Sequence, residues 1–120
     1  MAKELRIEAN DYGSHLKEFS VNLELTSKSH SFNRPIRDRS QTYLDEVGPI
    51  GRAIVEGILR IDGVERVSLD SYHVDVTKGK AFNWEGDGEG DLGIQKRIRE
   101  ILRDILIPVI TTANTPAPTR

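Results

Sequence analysis

The chain contains no cysteine. That absence removes disulfides, a thiol nucleophile, a CxxC redox pair and any thiolate cage for zinc or an iron–sulfur cluster. Aromatic residues are sparse, at 6% of 120 positions, and there is one tryptophan, Trp84. Neither sign of charge predominates, because 17 lysines and arginines stand against 19 aspartates and glutamates. Nucleic acid calls for a concentrated basic surface, so no nucleic-acid partner is expected. No apolar run approaches the roughly 20 residues that span a bilayer, and no membrane partner is expected either. The opening stretch MAKELRIEAND lacks the apolar core of a secretory signal, which makes the cytoplasm the expected location.

Catalytic signatures are also missing. There is no GxSxG elbow and no Walker A loop. GDGEGDLG is glycine-rich and precedes a helical pattern, but no strand feeds it directly and its carboxylates would repel a phosphate. EGDGEGD, residues 85 to 91, offers oxygen ligands to a hard cation. An EF-hand loop beginning at Asp87 would need glycine at 92 and glutamate at 98, where the chain has Leu92 and Ile98. His73 and Asp75 share a strand face two residues apart, without an indicated third ligand. The reading is therefore of a protein that is not an enzyme, with no catalytic residue, no cofactor and no metal.

What the sequence does contain is pattern. Leu5 and Ile7 suggest a short opening strand, and NDYGSH, residues 10 to 15, is turn chemistry. LKEFSVNLELT alternates, with Phe19, Val21, Leu23 and Leu25 on one face and Lys17, Ser20, Asn22 and Glu24 assigned to the other. Residues 27 to 48 are polar and lack a sustained period, and read as a long loop. Pro49 then opens a helix over 49 to 60, with Ile50, Ala53, Ile54, Ile58 and Ile61 inward and Gly57 placed for close approach to a sheet. Gly63 suits a left-handed cap. Val64, Val67 and Leu69, then Tyr72, Val74 and Val76, form a hairpin. A second helix is expected from Ile94 through residue 106, with Ile94, Ile98, Ile101, Leu102 and Ile105 inward.

The order is β-β-α-β-β-α. It predicts an α+β two-layer sandwich, an antiparallel sheet with two helices on one face. A single domain is expected over residues 1–107. The remainder, 108–120, reads as a flexible tail with three prolines, with an extra C-terminal strand at IPVITT as the alternative. Phe82 and Trp84 are placed as packing residues over the open edge of the core. Arg34, Arg37 and Arg39 gather beside Phe32 and Tyr43 in the long loop, while Asp87, Glu89 and Asp91 lie in the acidic loop. These six are the candidate partner-contact residues, since loops on a rigid scaffold carry binding disproportionately.

The run PIGRAIVEGILRIDGVERVSLDSYHVDVTKGKAFNWE, residues 49 to 85, resembles the N-terminal domain of Nfu-type iron–sulfur scaffold proteins. The matching residues are Ile61, Gly63, Val64 and Val67 at the step out of the helix, then Val74, Val76, Thr77 and Lys78, then Trp84. HLKEFSVNLE stands where that family has its early strand, and the likeness extends over most of residues 5 to 106. In that family the cluster ligands are a CxxC pair in a separate C-terminal domain, and this chain has neither. NDYGSHLK replaces the family's usual early Thr-Pro-Asn-Pro stretch. The resemblance implies a stand-alone relative of the accessory domain that acts through a protein partner, with components of iron–sulfur cluster assembly the expected class. The alternative is a small-ligand-binding regulatory module of ferredoxin-like type without a metal site. That fold's β-α-β-β-α-β order would need the strand at IPVITT.

Overall fold

The computed structural model describes residues 4–34, 40–86 and 93–114. Five strands pair antiparallel throughout: β1 (Ile7–Asp11), β2 (Leu16–Val21), β3 (His30–Asn33), β4 (Val64–Leu69) and β5 (His73–Lys78). Their order across the sheet is β1-β2-β5-β4-β3. Among the described residues there are also three helices, α1 (Ser40–Glu46), α2 (Gly48–Leu59) and α3 (Gly93–Asn114). The result is the two-layer α+β arrangement that the alternation and helical spacing foretold.

Period-two alternation drives the sheet. Phe19 and Val21 on β2, Phe32 on β3, Val67 and Leu69 on β4, and Val74 and Val76 on β5 all turn to one face and are buried. Ile54 and Ile58 from α2, and Ile98, Leu102 and Leu106 from α3, close over them in one cluster. The opposite face carries no helix among the described residues. The α2 helix begins with Pro49 in its first turn, where a missing N–H costs nothing. It stops before Gly63, whose φ of +96° only glycine adopts without strain. A β-carbon there would also run into the Phe82 ring.

Several expectations need correction. The stretch from 27 to 48 holds β3 and α1. β3 offers only His30 and Phe32 to the inner face, opposite Leu69 and Val67, so its alternation is too short to read as a period. Residues 107–112 form neither a strand nor a tail, because α3 runs 22 residues to Asn114 with Pro108 inside it. The ferredoxin-like order, which needed that strand, is not formed. Burial explains the continuation: Leu102, Leu106 and Ile110 fall on one helical face at fourfold spacing, and Ile110 is only 5% exposed. Thr112 Oγ1 donates to the Pro108 carbonyl at 2.8 Å, securing the turn beyond the proline.

Gly57 faces α3, where an added β-carbon would lie 3.1 Å from Ile101 Cγ2; the close approach to the sheet is made by Gly51, against Leu69. The buried face of α2 is correspondingly rotated, with Val55 buried and Ala53 exposed, because α1 and α3 flank the helix as well as the sheet. β2 ends at Val21, and Leu25 reaches the core from an extended segment whose N–H donates to Ser71 at 2.7 Å.

Candidate functional site

Of the six candidate contact residues, Arg34 lies within the described structure; Arg37, Arg39, Asp87, Glu89 and Asp91 lie outside the described residues. Arg34 follows β3 directly. Its backbone N–H donates to the Glu65 carbonyl at 2.9 Å and its Nη1 donates to the Ile61 carbonyl at 3.3 Å. The guanidinium therefore tethers β3 to the end of α2 while its surface stays exposed. Close by, Arg52 links α1 to α2, with Nη1 2.9 Å from Asp45 Oδ1 and Nε 2.6 Å from Glu56 Oε1. The Arg34 and Arg52 side chains share a shallow depression with Gln41, Glu56 and Arg60. Exposed ion pairs of this kind contribute little stability, and their role is to orient α1.

Trp84 sits at the other end of the sheet. Its Nε1 donates to the Ser14 carbonyl at 3.1 Å, and its ring packs on the core. Lys17 and Lys78, each only 7% exposed, place their ammonium groups 5.1 and 5.8 Å from the ring centroid. This corrects the assignment of Lys17 to the polar face. Residue 17 shares the inner register with Phe19 and Val21, and it is tolerated because its stem lies against the indole while its head reaches Asp11 at 3.2 Å and the Gln95 side chain. Trp84 is a packing residue, as expected, and the two lysines were the part that alternation alone should have exposed.

The uncovered face is polar from edge to edge. One row crosses all five strands in register: Ser31, Ser68, Asp75, Glu18 and Asn10. Ser31 and Ser68 share a hydrogen bond at 2.8 Å. Asp75 stands directly opposite Glu18, and its Oδ1 is buried without a hydrogen-bond partner. Burial, then the neighbouring Glu18 charge, pushes the Asp75 carboxyl above the usual carboxylate range, with His73 opposing. Asp70 moves the other way, held low by the Ser71 backbone N–H and the Ser29 hydroxyl. His73 lies 4.0 Å from Asp70. Among the described residues no group of three or more histidines, aspartates and glutamates is arranged to hold a metal ion, and no helix is long and apolar enough to cross a membrane.

A groove of about 920 Å³ separates β1 from α3. Sequence reasoning missed it, since it depends on α3 extending past residue 107. The one available signal was the spacing of Lys96, Arg99 and Arg103, which places three cations along a single helical face. Comparison with protein-family models, curated proteins and solved structures finds no match.

Proposed function

We propose that this chain is a non-catalytic protein-interaction module that serves as an accessory in iron–sulfur cluster assembly. The observation that carries the reading is the unit from Pro49 to Glu85. Its helix, Gly63 turn, hairpin and Trp84 fall on the residues that resemble the Nfu-type N-terminal domain. Lys78, one of those residues, lies over the Trp84 ring, so the tryptophan and the end of the hairpin pack as one unit. The function follows from that likeness together with the many charges, 30% of the chain, and the lack of any thiol. The cluster itself would be held by another protein, since this chain has no cysteine to offer.

Calorimetric titration of the full chain against purified cysteine desulfurase, cluster scaffold and CxxC-bearing cluster carrier tests the proposal. A saturable complex with at least one of them is the expected result. Absence of a complex with all three, or purified chain that retains stoichiometric iron, contradicts it.

A further inference from the structure

Strand β1 terminates the sheet, and among the described residues no strand pairs with its outer side. Two hydrogen bonds fix which way its backbone points. The Tyr12 N–H donates to the Leu16 carbonyl at 3.0 Å, inward to the β1–β2 turn, while the Ile7 carbonyl accepts from Arg99 Nη1 of α3 at 3.0 Å. Antiparallel alternation puts the N–H and C=O groups of Ala9 and Asp11 on the same open edge as the Ile7 carbonyl. Among the described residues, these Ala9 and Asp11 groups make no hydrogen bond to a loop, turn or side chain.

The groove beside this edge has an apolar floor and, on the helix side, a basic wall. Leu5 and Ile7 lie on the strand side with Arg6 between Glu4 and Glu8, and Lys96, Arg99, Arg103 and Ile107 line α3, so the excess of cations belongs to the helix. Ile107 is 40% exposed, although Leu106 beside it is fully buried. On the helical wall three cations accompany one carboxylate, Glu100. Lys96 and Arg103, with Arg6 on the strand side, form no ion pair among the described residues. Arg99 spends one donor on a backbone carbonyl, a weaker partner for a guanidinium than a carboxylate.

We propose that the open edge of β1 and the basic face of α3 together dock an extended acidic segment of a partner protein by strand addition. The main chain of the segment pairs with Ala9 and Asp11, and alternate side chains enter the groove. Acidic side chains there meet Lys96, Arg99 and Arg103, and an apolar one meets Leu5 and Ile107. Charge selects this occupant over a second copy. Two-fold pairing of β1 with β1 would set two α3 helices side by side over one sheet face, each presenting the same three cations to the other.

The proposal deepens the interaction reading, and its test is separable from the test of that reading. The full chain is titrated with a short synthetic peptide of alternating valine and glutamate, followed by amide NMR shifts and hydrogen exchange. A valine–lysine peptide is the control. Saturable shifts confined to Ile7–Asp11 and the first turns of α3 are expected, with slowed exchange at Ala9 and Asp11. Arg103→Glu, an exposed position, should weaken binding roughly tenfold, as should Lys96→Glu, and added salt should weaken it in the unmodified chain. No saturable shift, equal binding of the lysine peptide, or shifts on another surface overturns the proposal. So does a concentration-dependent dimer whose β1 amides are protected without peptide, which would assign the edge to a second copy. Failure of the peptide with a complex still formed in the calorimetric titration would overturn the docking site alone.

Discussion

Asp75 sits on the uncovered face of the sheet with a like charge directly across from it and one buried carboxylate oxygen unpaired. Its carboxyl titrates higher in the folded chain than in the unfolded one. The native state therefore holds the proton longer, and stability falls as pH rises from the ordinary carboxylate range through the raised value. Asp75→Asn should remove that part of the pH dependence and leave the protein more stable at neutral pH. The gain should be about 0.5 kcal/mol, small because the pair lies on the uncovered face of the sheet, where solvent screens facing charges. Denaturant unfolding at a series of pH values measures both effects. Gly63→Ala tests a different residue-scale device. It imposes a β-carbon on a backbone at φ +96° and drives it into Phe82, so a loss of about 2 kcal/mol or more is expected in the same unfolding experiment. The glycine was legible in the sequence as the stop before a hairpin. Its collision with Phe82 was not, because nothing in the sequence shows that residue 82 folds back over residue 63.

At the scale of elements, α2 and β2 were readable because each repeats its apolar pattern, and β4 and β5 because their branched residues flank the turn at Asp70 and Ser71. β3 was not readable: four residues with two inward side chains contain no period, and its identity comes from pairing with β4. The end of α3 was misread for a local reason. Pro108 discourages a helix by removing a donor and crowding the preceding turn, and the sequence signal of one proline outweighed that of Ile110. Tertiary burial reverses that balance. Ile110→Ala should cost about 2 kcal/mol if the last turns are packed as described, whereas in a loose tail it would be neutral. Pro108→Ala should stabilise by about 1 kcal/mol or more, since the helix is already formed around it and gains a hydrogen bond. Thermal unfolding of the two single variants measures both effects.

The whole molecule presents three different surfaces: a polar sheet face, a helical layer, and a sheet edge left open beside a basic helix wall. Among the described residues none of these gathers three or more histidines, aspartates and glutamates to hold a metal ion. The candidate contacts chosen from sequence divide unevenly. Arg34 bonds to a backbone carbonyl at the end of α2 and so has a positioning role as well as an exposed surface. The open edge was invisible, because it is a property of strand order. Two strands adjacent in the sequence, β1 and β2, pair with one another, whereas β2 finds its second partner in β5 more than fifty residues later and β1 finds none among the described residues. On the proposed reading the molecule works by contact. The most direct measurement is affinity capture of the tagged full chain from lysate of its own source, with mass-spectrometric identification of the proteins retained. The account predicts enrichment of cysteine desulfurase, cluster scaffold or cluster-carrier proteins over a control bait. A bait that emerges with no specific partner would contradict it.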